Sequence, residues 1–260
     1  MKIIAPAKIN LMLHYVGRRE DGYHLMQSAV AFADIGDMLE IAQADAFSLT
    51  LDGPFAAHAP TGNDNLVARA AAGAPIAVRL TKTVPAGAGL GGGSADAAAI
   101  LKYLDAPERA LGLGADVPVS LQSMAQWMEN IGDVLSPIKM EPLHAVLVWP
   151  GQGLSTPAMY AAYRESGKSF HDAIAKPNRI DLEFLQSTQN DFTEVAIKAL
   201  PIIKNILDDL YAQDGCVLSR LSGSGSACFG IYQSAQDAKK AADNLSAAYS
   251  TAWIKSCVLV

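Results

Sequence analysis

Residues 85–96 read Pro-Ala-Gly-Ala-Gly-Leu-Gly-Gly-Gly-Ser-Ala-Asp, which places five glycines within seven positions. Apolar and polar residues alternate over positions 76–81 just before this stretch, a pattern that predicts a β-strand. Over positions 97–104, after it, apolar residues recur with the spacing of one helix face. The glycines therefore lie between a strand and the first turn of a helix.

This glycine loop has the composition of a phosphate-binding loop. Glycine adopts positive φ without a steric cost and lets a ligand approach the backbone closely. The N–H groups of the turn and of the helix start can then point at one anion, where the helix dipole adds partial positive charge. A tight, flexible connection without any ligand is the alternative interpretation.

Two well-known phosphate loops differ from this one. A Walker loop requires a Lys after its glycines, and no Lys follows here. Gly87, Gly89 and Gly92 match the dinucleotide pattern G-x-G-x-x-G, but that fold also needs an acidic residue at the end of the next strand. Residues 104–108 predict a helix that ends at a proline instead, so a dinucleotide-dependent oxidoreductase ranks second.

Composition excludes several classes of protein. The chain has 260 residues, 50% of them apolar and 18% charged, which predicts a globular protein with a sizeable core. A net charge of −6 argues against a nucleic-acid partner. No apolar run approaches the roughly 20 residues of a membrane span, and the first residues are too polar for a signal peptide, so we expect no membrane association. Three widely spaced cysteines fit neither a disulfide framework nor a zinc site and predict a reducing, cytoplasmic location.

Periodicity also predicts the other elements. The first 53 residues are predicted to form an antiparallel meander of short strands, at residues 9–15, 25–34, 38–42 and 47–51. A helix with Asx-type capping follows over residues 66–72. Further strands are predicted at residues 131–138, 143–149, 216–221, 227–232 and 253–259, and helices at 157–163, 192–199, 203–210 and 238–245. Pro150-Gly151 marks the predicted domain boundary, between residues 1–149 and residues 150–260.

A few polar residues stand out as candidates for chemistry, each with an ordinary alternative. Lys8 is the only cation in its run, although a solvated surface lysine is the usual interpretation. Asp116 lies among small apolar residues, where a carboxylate is costly unless it is paired, or else it caps a turn. His24 follows Gly22 and Tyr23 at a strand entry, where its ring packs at an edge or binds a ligand. The serine–glycine segment at residues 222–226 is either a hairpin turn or a second loop that wraps a polar group.

Four segments together resemble the signature segments of one superfamily. They are Ala-Pro-Ala-Lys-Ile-Asn-Leu at residues 5–11, the glycine loop, Leu-Gly-Ala-Asp-Val-Pro at residues 113–118 and Leu-Ser-Gly-Ser-Gly-Ser at residues 221–226. In this order they resemble the GHMP kinases, which include galactokinase, homoserine kinase and mevalonate kinase. The start of the chain, the Asp-Gly-Tyr-His at residues 21–24 and the form of the glycine loop resemble the branch that acts on an alcohol linked to cytidine diphosphate.

The resemblance implies a fold and an activity. The fold is a two-domain α+β GHMP-kinase-like fold, with an N-terminal ATP-binding domain, a C-terminal domain and the active site in the cleft between them. The activity is ATP-dependent phosphorylation of the 2-hydroxyl of 4-diphosphocytidyl-2-C-methyl-D-erythritol, a step of non-mevalonate isoprenoid precursor synthesis. ATP is then the co-substrate and Mg²⁺ the metal, and the other partner is a small molecule that carries a cytidine diphosphate group. We further expect a monomer or a weak homodimer.

The resemblance also implies roles for individual residues. Asp116 is similar to the general base for the substrate hydroxyl, and Lys8 to the cation that stabilises it. The residues similar to the ATP-binding loop are Pro85, Gly87, Gly89, Leu90, Gly91, Gly92, Gly93 and Ser94, with Asn65 on the adenine side and the Ser94 hydroxyl as a metal ligand. The residues similar to substrate contacts are Asn10, Tyr23, His24, Gly223 and Ser224, with an aromatic ring stacked on cytosine and Phe170 and Phe184 as candidates for a second ring.

Three alternatives stay open at this point. A GHMP kinase of another small alcohol is the first alternative, and Tyr23-His24 after Gly22 is the feature that separates it from a kinase of the cytidine diphosphate alcohol. A dinucleotide-dependent oxidoreductase lacks the acidic strand end described above. A non-catalytic binding protein on the same fold does not require the intact Lys8 and Asp116.

Overall fold

A computed structural model describes residues 1–20, 22 and 24–260 of the chain. These residues form two compact units that are interleaved in sequence. Unit 1 comprises Met1–Lys8, Phe32–Ala86 and Leu90–Met124, and unit 2 comprises Ile9–Ala31, Gly87–Gly89 and Ala125–Val260. The predicted domain boundary between residues 149 and 150 stays a prediction. In the part of the chain that the structure describes, no helix has the length and apolar character to cross a bilayer.

The helices and strands follow one another in a mixed order. The strands are β1 (Lys2–Arg18), β2 (His24–Gln43), β3 (Ser48–Asp52), β4 (Ile76–Thr81), β5 (Gln126–Glu129), β6 (Val134–Pro137), β7 (Lys139–Met140), β8 (Leu143–Trp149), β9 (Arg179–Ile180), β10 (Cys216–Leu221), β11 (Cys228–Tyr232) and β12 (Trp253–Leu259). The α-helices are α1 (Leu66–Ala71), α2 (Gly92–Tyr103), α3 (Asp116–Gln122), α4 (Thr156–Glu165), α5 (Leu182–Gln186), α6 (Thr193–Ala199), α7 (Ile202–Tyr211) and α8 (Ala235–Ala248).

Unit 1 packs helices against a small sheet. The second half of β2 pairs antiparallel with β4, so that Met38 lies opposite Thr81 and Gln43 opposite Ile76. The alternation in β4 buries Ile76, Val78 and Leu80 on one face. Buried alanines, isoleucine and leucine of α2 pack in the same core as these strand residues and as α1. The strand–glycine loop–helix prediction is therefore confirmed.

Unit 2 contains an antiparallel sheet in the order β10-β11-β8-β12. Each of these strands coincides with a predicted one, to within one residue at each end. Helices α6, α7 and α8 bury their apolar faces in one core with strand residues such as Val146 and Cys228. The helical stripe predicted over residues 238–245 is confirmed, because its four apolar residues are the buried ones of α8.

The predicted meander is wrong in two respects. The strands predicted at residues 25–34 and 38–42 are one strand, β2, and Gly36 within it lies against the backbone of β1. A Cβ at Gly36 would lie 2.0 Å from the carbonyl oxygen of Ala5. The third strand, β3, does not continue the meander but pairs parallel with β4, from Ser48 opposite Ala77 to Asp52 opposite Thr81.

The strand predicted at residues 131–138 is also wrong at its start. The structure has a hairpin there, in which β5 pairs antiparallel with β6. Asn130 and Gly132, with φ of 63° and 95°, lie in the turn between these two strands. The sequence of β5 does not alternate between apolar and polar residues, because its adjacent central residues, Trp127 and Met128, are both buried. The strand was therefore not predicted.

Gly87 and Gly89 of the glycine loop belong to unit 2 and differ in how closely other atoms pack against them. A Cβ at Gly89 would lie 2.6 Å from the carbonyl oxygen of Ser222 and 2.8 Å from that of Gly225. The hydroxyl of Ser222 also donates to the carbonyl of Gly89 over 3.0 Å. A Cβ at Gly87 meets no atom within 4 Å, although φ is positive at both glycines. Close packing on the β10–β11 hairpin thus requires glycine at position 89 and not at position 87.

We predict that Gly89→Ala destabilises the fold more than Gly87→Ala does. Both changes carry the cost of an alanine at positive φ, about 1–2 kcal/mol. Only Gly89→Ala adds a clash with backbone, which raises the expected loss to roughly 3 kcal/mol or more. Urea denaturation of the two variants measures the difference, and equal losses would contradict the packing assigned to Gly89.

A buried histidine lies in the core of unit 2. The rings of His14 and His171 are stacked, with centroids 4.4 Å apart. The Nε2 atom of His14 accepts a hydrogen bond from the backbone N–H of Gln189 over 3.1 Å, so the neutral ring fits this position. Burial lowers the pKa of His14 below its usual value of 6.5, and nearby His171 and Arg220 act in the same direction against the Asp191 carboxylate.

We predict that this histidine makes stability pH-dependent. Because its folded-state pKa is lowered, the unfolded chain binds more protons, and the stabilisation present above about pH 6.5 is lost as the pH falls. Thermal unfolding between pH 5 and pH 7 should show a rising Tm, with a smaller rise in His14→Gln. His58→Gln, at an exposed position, is the matched control and should keep the full rise. An unchanged rise in His14→Gln would show that other groups cause the dependence.

Candidate active site

Lys8 is a buried lysine in unit 1. It lies on β1, and its side chain is only 5% exposed. Its backbone N–H donates to the carbonyl of Leu90 over 2.8 Å, and its Nζ donates to Oδ1 of Asp116 over 2.7 Å. The interpretation of Lys8 as an ordinary solvated lysine is therefore wrong.

Asp116 presents the exposed side of this ion pair. It is the first residue of α3, as the proline two residues later suggests. Its side chain is 39% exposed, in contrast to that of Lys8. A carboxylate held by a buried ammonium and open on its other side is suited to accept a proton from a small molecule.

The unit 1 part of the glycine loop adjoins this pair. Gly91 precedes α2 with a φ of 63°, and a Cβ there would lie 3.0 Å from Cβ of Lys8. Glycine at position 91 thus lets the lysine side chain pass the loop. Gly93 is exposed and Ser94 is half-buried in the first turn of α2. Helix α2 begins without a capping side chain, and its first N–H groups suit an anion.

Asn65 has a structural function in this fold. Its Oδ1 accepts the N–H of Val67 over 2.8 Å and caps α1, which confirms the predicted Asx-type cap. Its Nδ2 donates to the carbonyl of Pro60 over 2.8 Å. The adenine contact expected for this residue stays a prediction.

In unit 2 the structure brings Asn10 close to the serine–glycine segment. Nδ2 of Asn10 donates to the hydroxyl of Ser28 over 2.8 Å, and its backbone N–H donates to the hydroxyl of Ser222 over 3.2 Å. A Cβ at Gly223 would lie 3.1 Å from Oδ1 of Asn10. The segment is at the same time the predicted hairpin turn, since it connects the antiparallel strands β10 and β11.

The sequence did not indicate what holds this hairpin turn. Nδ2 of Asn190 donates to the carbonyls of Leu221 and Gly223, both over 2.8 Å. The hydroxyl of Ser224 is 2.8 Å from that of Thr156. Neither Asn190 nor Thr156 lies in a recognisable motif. Because both are far from the turn in sequence, the sequence alone could not predict these contacts.

His24 is half-buried in a group of aromatic rings in unit 2. Its ring centroid is 5.0 Å from that of Tyr15, 5.4 Å from that of Tyr160 and 6.5 Å from that of Phe170. Burial lowers the pKa of His24, and the charges of Arg18 and Arg164 lower it further. Phe184 packs instead near Trp127, at 6.2 Å. Tyr23, the other expected contact, lies outside the described residues.

Three more charged residues lie buried in unit 1. Lys82 and Asp37 lie in no motif, and Asp96 is the last residue of the glycine-loop segment, where the sequence indicated no role for it. Nζ of Lys82 donates to Asp37 and, over 2.8 Å, to Oδ2 of Asp96. Burial raises the pKa of the Asp96 carboxyl to about 7, against the opposing effect of Lys82. Burial opposes the charge on Lys82, but the two carboxylates outweigh it and raise the pKa of this lysine. Within the described residues, no group of three or more His, Cys, Asp or Glu side chains could hold a metal ion.

The topology around the glycine loop differs from that of a dinucleotide-binding fold. Strand β4 runs antiparallel to β2, and α2 is followed by two 3₁₀ turns and α3. No parallel strand returns from α2 within this described stretch, so the acidic strand end of that fold has no counterpart.

Comparison with known proteins identifies the family. The model of the GHMP kinases N terminal domain matches residues 64–136, and that of the GHMP kinases C terminal matches residues 158–251. The 4-diphosphocytidyl-2-C-methyl-D-erythritol kinase of Roseobacter denitrificans is 41% identical, over 98% of this chain and 92% of its own length. That of Dinoroseobacter shibae is 43% identical, over 98% of this chain and 93% of its own length.

A solved structure agrees with these relatives. The crystal structure of a 4-(cytidine 5'-diphospho)-2C-methyl-D-erythritol kinase is 33% identical, covers 100% of this chain and 99% of its own, and superposes with a TM-score of 0.82. The expected GHMP-kinase fold, with its N- and C-terminal domains, is thus confirmed. The chain belongs to the 4-diphosphocytidyl-2-C-methyl-D-erythritol kinases of the GHMP kinase superfamily.

Proposed function

We propose that this small-molecule kinase transfers the γ-phosphoryl group of ATP to the 2-hydroxyl of 4-diphosphocytidyl-2-C-methyl-D-erythritol, in non-mevalonate isoprenoid precursor synthesis. The relatives that carry this name match nearly the whole chain, which supports the substrate. The observation that carries the chemistry is the 2.7 Å bond between the buried Lys8 and the half-exposed Asp116.

Asp116 is the general base of the proposed reaction. It accepts the proton of the 2-hydroxyl as the oxygen of that hydroxyl bonds to the γ-phosphorus and ADP leaves. Lys8 compensates the negative charge next to the reacting atoms and fixes the carboxylate on α3. Phosphoryl transfer depends mainly on such positioning and charge stabilisation, since it needs little covalent chemistry from the protein.

The glycine loop is the proposed site of the ATP phosphates. The N–H groups from Gly87 to Ser94 and the start of α2 supply donors, and Asn65 lies toward the adenine. The absence of a carboxylate cage among the described residues fits a Mg²⁺ ion held mainly by phosphate and water, with the Ser94 hydroxyl as the protein oxygen. When bound, that ion neutralises phosphate charge.

Residues outside the glycine loop are the proposed contacts of the rest of the alcohol substrate, including its cytidine diphosphate group. Asn10, Gly223 and Ser224 are the proposed polar contacts. Tyr23 and His24 are the proposed contacts of the cytosine, to which an aromatic ring offers a stacking surface. The odd number and wide spacing of the three cysteines in the sequence support the proposed cytoplasmic location, and a monomer or weak homodimer is the proposed assembly.

A panel of alcohols tests the substrate. ADP release should follow addition of 4-diphosphocytidyl-2-C-methyl-D-erythritol, and should be far slower with mevalonate, homoserine or galactose. Turnover of a different alcohol alone would favour the second candidate, a GHMP kinase of another small alcohol. A chain that releases no ADP from ATP with any acceptor would reject both.

Removal of the base tests the mechanism. Asp116→Asn keeps the size of the side chain but cannot take a proton, so kcat should fall by at least about 100-fold. Lys8→Met should also lower kcat, because the compensating charge is lost. Asp214→Asn breaks an exposed Lys–Asp pair with Lys240 and is the matched control, for which kcat should not change. Wild-type kcat in Asp116→Asn would remove Asp116 from the chemistry.

A further inference from the structure

Three charged side chains meet in the interior of unit 1, next to the glycine loop. Lys82 follows β4 directly, Asp37 lies in β2 and Asp96 lies in the first half of α2. Their side chains are 4%, 0% and 3% exposed. The cluster is therefore inaccessible to a substrate, unlike the pair formed by Lys8 and Asp116.

Asp37 holds the two residues that lead from β4 into the glycine loop. While its Oδ2 accepts from Lys82, its Oδ1 accepts the N–H of Thr83 over 2.6 Å and that of Val84 over 2.9 Å. The hydroxyl of Thr83 adds a bond of 2.6 Å to the carbonyl of Gly36. The direction in which the chain leaves β4 is thus fixed by strand β2.

Lys82 and Asp96 hold the other end of the loop. The bond between them ties α2 to the end of β4. A Cβ at Gly92 would lie 3.3 Å from Oδ2 of Asp37 and 3.4 Å from Nζ of Lys82. The charged groups therefore lie against the backbone of the first turn of α2, which the proposed function assigns to the phosphates.

Stability does not explain this arrangement. Burial of one ammonium and two carboxylates carries a desolvation penalty for each ion, and apolar residues of similar volume are often as stable or more so. In addition, Oδ1 of Asp96 is buried without a hydrogen-bond partner in the described structure, which adds a further penalty. What the cluster supplies is a fixed geometry for both ends of one loop.

We propose that Asp37, Lys82 and Asp96 are positioning residues for ATP. They hold residues 83–84 and 91–96 so that the N–H groups of the glycine loop meet the triphosphate, and they do not touch the nucleotide. This inference rests on the proposed function, because it takes the glycine loop as the phosphate site.

Asp96→Ala is the decisive variant. It leaves the bond between Lys82 and Asp37 in place and removes the carboxylate whose Oδ1 lacks a partner. We expect the Kd and the KM for ATP to rise about tenfold, since a small misplacement of a positioned group has effects of this order or larger. The KM for the alcohol should stay unchanged, and Tm should stay the same or rise.

Two further variants complete the experiment. Asp96→Asn keeps an oxygen that can accept from Lys82, and it should recover most of the ATP affinity. Glu40→Ala removes a carboxylate from the same strand as Asp37, where it forms an exposed ion pair with Lys2, and should leave the Kd for ATP unchanged. Calorimetric titration with the Mg²⁺ complex of ATP, without acceptor, measures the affinities.

The outcomes separate this inference from the proposed function. Wild-type ATP affinity in Asp96→Ala, with or without a lower Tm, would overturn the inference alone. An equal rise in the KM for ATP and in that for the alcohol would also overturn it, because the effect would then be general. A wild-type chain that does not bind ATP would overturn the proposed function first.

Discussion

A buried ammonium group requires a carboxylate, and this constraint determines the arrangement around Lys8. The cost of placing a charge in the protein interior is several kcal/mol, so a lysine that is 5% exposed must be paired. Asp116 meets this need from the first turn of α3, which ties that helix to β1. Gly91 lacks a side chain because the stem of the lysine passes there. This one ion pair thus links strand β1 to the first turn of α3 and requires space at residue 91 of the glycine loop.

Unit 1 contains a second buried lysine, Lys82. Its carboxylate partners differ from that of Lys8 in their exposure to solvent. Among the described residues, Lys8 pairs with one carboxylate, that of Asp116, which is partly exposed, whereas both carboxylate partners of Lys82 are sealed from solvent. An open carboxylate can exchange a proton with a substrate. Sealed carboxylates can only hold the backbone that surrounds them, and Asp37 holds that of Thr83 and Val84.

The sequence determines some of these features locally and leaves others to the tertiary structure. The alternation in residues 76–81 and the apolar run in residues 143–149 predict strands whose observed bounds agree, because the first buries one face and the second is buried over most of its length. Periodicity carries no information about partners, so the parallel pairing of β3 with β4 was missed. Lys8 and Asp116, 108 residues apart, could be linked only through the resemblance to a family. Lys82 has no such motif, and in its setting between two threonines it looks like any exposed lysine.

The glycine loop shows why a motif cannot be interpreted residue by residue. A Cβ at Gly89 would clash with carbonyls packed against it, a Cβ at Gly91 or Gly92 would crowd the stem of Lys8 or the buried ion cluster, and a Cβ at Gly87 would meet no atom within 4 Å. At three of these four glycines, protein groups thus lie close to the backbone. If the loop binds a triphosphate, as proposed, its shape is set by groups that never contact the nucleotide. A substitution several ångströms from any phosphate can then weaken ATP binding as much as one that removes a direct contact.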